Sequence, residues 1–327
     1  MGFFSNLFGG TKLRDPLEAQ PELAELIASL KIMDGRLAQA MFQSTRGQWD
    51  LRTWVLELAA DRYLMKMHPT QRAQVADSLV AQGEVGWLLV RGVWHMLEGW
   101  ESRGSGSADT VTEDGATDLE RGCTRAVRDL EAVASCDPGD PCPHTFLLRA
   151  ARGLGDRDLG ESAYARACAL DPTGYEPRAR YLGVISERWL GSFDEMLTHA
   201  RTVAAQMPDG VDAASLPILA HYDRYSHLCI FDGDVKGAHL YLRDPQVQAE
   251  VRHALARSVD APGHTQTPAT MRIRHTAAVT LFHGGSFDAA REQILKVGDT
   301  FERDSWWQDN TDPERSYKKA RSQLGIK

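Results

Sequence analysis

The sequence predicts an all-α protein whose second half is an array of helical hairpins. Three observations carry that prediction. Alternating β-branched runs are nearly absent, while Ala, Leu, Glu and Arg, which favour helix, dominate. A short turn phrase recurs as Gly155-Asp156, Gly191-Ser192-Phe193-Asp194, Gly233-Asp234 and Gly285-Ser286-Phe287-Asp288. Each copy separates two stretches with small and apolar residues at helical spacing, as expected of hairpins that must stack to bury their apolar faces.

The elements follow in order. Pro16 opens a helix over 16–30, with Leu17, Leu23, Leu26, Ile27 and Leu30 on one face. A second covers 49–65, with Trp54, Leu56, Leu58, Ala59 and Tyr63. Pro69-Thr70 opens a third at 69–82. The fourth, 84–102, carries Trp87, Leu88, Val93, Trp94 and Leu97. Trp87 and Trp94 share a face, which points to a large core or, if exposed, to an interface with a partner helix. Residues 101–115 form the longest non-helical stretch. They read either as a link in which Asp114 or Thr117 caps the next helix, or as a ligand loop offering Arg103, Asp109 and Thr110. A helix over 117–135 follows and stops at Asp137-Pro138. The chain thus divides into a helical N-terminal region, 1–135, and an array, 140–327, with a basic helix-forming tail from Tyr317.

Within 141–174, Leu147, Gly155, Gly160, Tyr164, Ala167 and Pro172 stand at the spacing of a hairpin of about 34 residues. Aligning the later turn glycines gives hairpins around 177–210, 219–245 and 271–302. Those glycines lie 36, 42 and 52 residues apart, and His144 and Leu148 replace an aromatic and a small residue, so the repeats are degenerate. On these residues the second half resembles the tetratricopeptide-like superfamily. The Gly99–Val111 loop, the Asp137–Pro141 turn and the Arg188–Ser192 turn also resemble uncharacterised bacterial proteins with such folds, which implies no activity. A generic helical bundle with Gly-Ser and Gly-Asp turns stays open beside this reading.

The superfamily resemblance implies protein or peptide binding in a concave groove. Its groove positions map onto Arg149 and Arg152 in the first hairpin, and onto Arg178, Tyr181, Arg188 and Trp189 in the second. They continue with Asp223 and His227, then Arg272, His275 and His283. Such a groove would be cationic and aromatic, suited to the carboxylates or phosphates of an acidic peptide. The alternative is that these arginines sit on solvated faces and pair locally.

Composition narrows the function classes. The 327 residues suffice for one long array or two compact domains, and 43% hydrophobic content argues against disorder throughout. A net charge of −8 disfavours bulk attraction to nucleic acid. The five cysteines form no Cys-x-x-Cys pair, and Asp223 with His227 is only a pair, so no metal and no cofactor are expected. Their odd number, and an apolar start, Met1–Gly10, without the basic region or length of a secretory signal, predict a reducing cytoplasmic setting. That start reads as a tail, a first turn on the core, or a peptide that docks on a membrane or partner. No run approaches the roughly 18 apolar residues of a membrane span. No nucleophile elbow or phosphate loop is present. The expected function is therefore a non-catalytic scaffold or adaptor for another protein or an acidic peptide. Two alternatives stay open: a small-ligand binder or enzyme using 101–115, and a structural subunit, homo-oligomeric or within a larger assembly, with Trp306-Trp307 as a contact.

Overall fold

The computed structural model describes residues 21–32, 35–81, 83–104, 106, 110–307 and 312–326. Among these residues there are sixteen α-helices and no β-strand. The predicted helix over 16–30 is described from Pro21, so Pro16 and Leu17 lie outside, as do Met1–Gly10 and Asp109. No helix among the described residues is long and apolar enough to cross a membrane. The described chain forms two compact units, 21–196 and 197–326. Residues on the two sides of the boundary expected at 135–140 therefore belong to one unit.

The first unit begins with α1 (Pro21–Ile32), α2 (Gly35–Ser44) and α3 (Trp49–Ala59), which runs on through a π-helical turn, Ala60–Leu64. It continues with α4 (Pro69–Val80), α5 (Val85–Arg103), α6 (Glu113–Cys136), α7 (Cys142–Leu154), α8 (Arg157–Leu170) and α9 (Tyr175–Val184). Helix α5 is the spine: Trp87, Leu89, Val90, Val93, Trp94 and Met96 are buried, so the tryptophan stripe is core. It packs closely along α6. A Cβ on Gly122 would stand 2.7 Å from the His95 carbonyl oxygen and 2.9 Å from the Gly99 Cα, so glycine is what lets the two backbones touch there.

Helix α6 starts four residues before the predicted 117. Its cap is neither Asp114 nor Thr117 but Thr112, which is extended and accepts the Gly115 N–H at 3.0 Å. The loop before it is accordingly shorter than the predicted 101–115. The recurring turn phrase has a physical account. Gly155 takes the left-handed conformation that stops α7, and the Asp156 carboxylate accepts the Leu159 N–H that opens α8. Gly233 is left-handed too, two residues beyond the Phe231 that caps the helix Leu216–Ile230, and Asp234 opens the next helix, Val235–Leu242, by accepting from Gly237.

Helix α3 packs against α5, α7 and α9. Both Asp50 carboxylate oxygens accept N–H groups at the start of α9, from Tyr175 at 3.0 Å and Glu176 at 2.9 Å. The Trp54 indole donates to Glu176 Oε1 at 2.6 Å. Buried Arg52 pairs with buried Asp140 in the turn before α7.

Helix α10 (Phe193–Gln206) carries the chain into the second unit, which contains α11 (Leu216–Ile230), α12 (Val235–Leu242) and α13 (Pro245–Arg257). Then come α14 (Pro268–His283), α15 (Phe287–Val297) and α16 (Pro313–Gln323). Helices α11/α12 and α14/α15 lie where the third and fourth hairpins were expected, and α13 accounts for the long glycine interval between them. Helices α13, α14 and α16 each open with a side-chain cap followed by proline, at Asp244-Pro245, Thr267-Pro268 and Asp312-Pro313. Buried α14 forms the core and packs on α11, α13 and α15. Trp306 packs beneath it, whereas Trp307 is exposed.

Candidate functional site

The residues expected to line a trough have different fates. In the first unit, Arg149 forms an ion pair with Glu57 of α3. Its guanidinium also lies 5.6 Å from the Trp100 ring. The Arg152 guanidinium is held between two indoles, 4.7 Å from Trp100 and 5.1 Å from Trp189. Those indoles meet edge to face at 5.1 Å. Arg103 stands 5.4 Å from the Trp189 ring and donates to the carbonyls of Gly104 and Gly106. Thus Arg103, Arg149, Arg152 and Trp189 do come together. Thr110 and Arg188 are exposed.

Arg178 and Tyr181 do not join them. Arg178 is buried and donates to the carbonyls of Asp171, Pro172 and Gly174, clamping the turn between α8 and α9. Tyr181 is buried and stacks on Tyr164 at 4.2 Å. The positions on α9 that meet α3 and α7 are Glu176, Arg180 and Gly183 instead. Arg180 pairs with Glu57 at 2.5 Å, and a Cβ on Gly183 would fall 2.8 Å from the Arg152 Nη1. The slip has a simple origin. Leu154 at the end of α7 adjoins its turn glycine, but Val184 at the end of α9 stands seven residues before Gly191. Counting back from the glycine misplaces the register; counting forward from Pro172 gives Glu176 and Gly183, with Ala179 beside Arg180.

In the second unit, His275 is core. Burial pushes its pKa down to about 3, and its Nδ1 accepts the Trp306 indole N–H at 3.1 Å. His283 stacks on Tyr225 at 5.2 Å and on His239 at 5.0 Å. His227 lies 3.5 Å from the Asp232 carboxylate and packs on Phe231. Asp223 and Arg272 are half-buried. Among the described residues, no three or more His, Cys, Asp or Glu side chains converge as a metal site would need.

An open groove lies on another side of α7. Helices α6 and α8 both pack on α7, and between them runs a recess of about 600 Å³. His144 and Leu147 of α7 line it, with Ala134, Ser135 and Pro138 on the α6 side. Leu159, Ser162, Ala163, Arg166 and Leu170 contribute from α8. The lining is mixed: Ala134, Pro138, Leu147, Leu159, Ala163, Ala169 and Leu170 are apolar, while Glu131, Ser135, His144, Ser162 and Arg166 are polar or charged. Two features are unusual. His144 is 7% exposed, and its Nδ1 is buried with no hydrogen-bond partner. Burial, helped by the Arg166 charge, lowers its pKa, so the imidazole is neutral near pH 7. Such a nitrogen costs about 1–3 kcal/mol until something bonds to it. Arg166 itself is exposed and forms no ion pair among the described residues. Ser135 is spent on its own helix, donating to the Glu131 carbonyl at 2.9 Å.

A smaller recess of about 260 Å³ borders α5 and α6. Most of its charges pair with one another, with Arg72 beside Glu101 at 3.4 Å and Arg121 bonded to Asp118 at 2.5 Å. The α6–α8 groove is the site sequence reasoning missed. Its one trace in the sequence is His144, where the repeat pattern has an aromatic residue. Comparison with protein-family models, with curated proteins and with solved structures found no match to this chain.

Proposed function

We propose that this chain is a non-catalytic interaction module, a scaffold or adaptor that holds a segment of another protein in the groove between α6 and α8. The observation that carries the reading is the unpartnered, buried His144 nitrogen beside Leu147, Leu159 and Ala163 in an open groove. Arg166, exposed in the same groove, offers a place for an acidic side chain of the partner. The succession of hairpins α5/α6 and α7/α8, with α7 packed on both α5 and α9, is what a tetratricopeptide-like array would have, and that likeness supports an interaction role.

The face of α5, α7 and α9 is a poorer candidate for a docking trough. Helix α3 covers it, and the acid its arginines meet is Glu57 of this chain. The test is site-directed photo-crosslinking in an extract of the native host. A crosslinker at Ser162 captures a defined partner, and one at exposed Lys236 does not. No capture at Ser162, or equal capture at both, refutes the reading.

A further inference from the structure

We infer that the occupant of the α6–α8 groove is one amphipathic helix of the partner protein, about three turns long, with an acidic side chain over Arg166 and a basic one toward Glu131. This rests on the reading of the groove as a partner site.

The first argument concerns backbone hydrogen bonds. Across the middle of the groove the lining is helical, and the backbone N–H and C=O groups of Glu131, Leu147, Ser162 and Ala163 are paired within α6, α7 and α8. An extended segment laid here would bury its own polar backbone against side chains such as Leu147 and Ala163, with nothing to bond. A helix arrives with its backbone satisfied and needs only an apolar stripe.

The second argument is shape. Two helices flank the recess while both rest on a third, which leaves room for a rod between them. Ala134, Ser162, Ala163 and Ala169 border that room, and small residues permit the interaxial approach of about 8–10 Å seen between packed helices. On α8 the lining runs from Leu159 to Leu170, which is about 16 Å of helix at 1.5 Å per residue.

The third argument is charge. Arg166 and Glu131 lie on opposite walls, and neither forms an ion pair among the described residues. The turn between α6 and α7 brings Pro138 and His144 together at one end, and α8 doubles back along α7 so that Arg166, one turn before its last residue Leu170, lies toward that end. Glu131 lies one turn of α6 before Ser135, toward the other end. An occupant with an acid near its Arg166 end and a base near its Glu131 end meets both. A hydroxyl or amide side chain between them, able both to donate and to accept, suits the His144 imidazole in either tautomer.

The test uses the full chain and three labelled peptides in fluorescence anisotropy. The first is a stapled 15-residue helix with a Leu/Ala stripe, a central Ser, and Glu and Lys placed as above. The second exchanges the Glu and Lys. The third has the first peptide's composition but two central prolines and no staple, which keeps it extended. The first peptide is expected to bind most tightly. Ser162→Trp, at an exposed wall position, weakens it about tenfold by filling the groove. Arg166→Glu shifts the preference about fivefold toward the exchanged peptide.

Tighter binding of the extended peptide, or binding that Ser162→Trp leaves unchanged, overturns the helix assignment. If no peptide binds while the crosslinker at Ser162 still captures a partner, the helix assignment falls and the groove reading stands. If no peptide binds and the crosslinker captures nothing, both fall.

Discussion

Asp50 makes stability depend on pH in an unusual direction. Its carboxyl is pushed up to about 7, first by burial and then by the negative charge of Glu176, against the N–H bonds from Glu176 and Tyr175 that favour the ionised form. In the unfolded chain an aspartate titrates near 3.9. Between those values the folded state holds a proton that the unfolded state has lost. The contribution is therefore fully present below about pH 4, declines as pH rises toward 7, and is flat above. A displacement of about three units corresponds to about 4 kcal/mol as an upper bound. Asp50 as a residue still touches solvent, so about 2 kcal/mol is the expected size. The assay is urea unfolding, followed by circular dichroism at pH 4.5, 5.5, 6.5 and 7.5, of the natural chain and of Asp50→Asn. Asparagine keeps one acceptor for α9 and cannot ionise. The variant should gain stability relative to the natural chain by about 2 kcal/mol from the lowest to the highest pH. A difference that stays constant across the series, or that moves the other way, refutes the claim that burial outweighs the two N–H bonds.

Three further outcomes follow from contacts already described. Gly122→Ala forces a Cβ against the His95 carbonyl and should cost about 1–3 kcal/mol, read as a lowered thermal midpoint; an unchanged midpoint would mean that α5 and α6 do not touch there. Arg178→Met removes three charge-assisted bonds to the α8–α9 turn, and denaturant unfolding should show a loss of about 2–3 kcal/mol. His144→Phe removes a buried nitrogen with no partner, so stability should hold or rise by about 1 kcal/mol while capture of the partner weakens; a large loss of stability would show that the nitrogen is bonded after all.

How much of this was legible in the sequence depends on the range of the interaction. Helix α5, predicted over 84–102 and observed over Val85–Arg103, was readable because its periodicity and its glycine stop are local. The turn phrase was readable for the same reason, since Gly155 and Asp156 act within four residues of themselves. The start of α6 was misread because Thr112, Asp114 and Thr117 all have capping chemistry, and only the backbone conformation selects among them. Helix α3 was found as a helix, but its destination was not. The bond from Trp54 to Glu176 joins positions 122 apart, and no pattern within α3 announces it. The α6–α8 groove is harder still, because what defines it is the absence of a helix between two others, and an absence has no residue to signal it.

The fate of Glu57 ties these observations together. The sequence places arginines on α7 where an acidic ligand would be bound, and an acid does meet them, but from within the same unit. Glu57 accepts from Arg149 and Arg180 at once, and Glu176 holds Arg180 from the other side at 3.1 Å. One carboxylate shared between two guanidinium groups is geometrically demanding, and it ties α3 to α7 and α9 at once. On that face the acid that the arginines meet is Glu57 of this chain. Helix α3 covers that face, and the groove between α6 and α8 stays open on another side of α7. A docking role for this chain thus depends on the side of α7 that faces away from α3, where His144 stands without a bond.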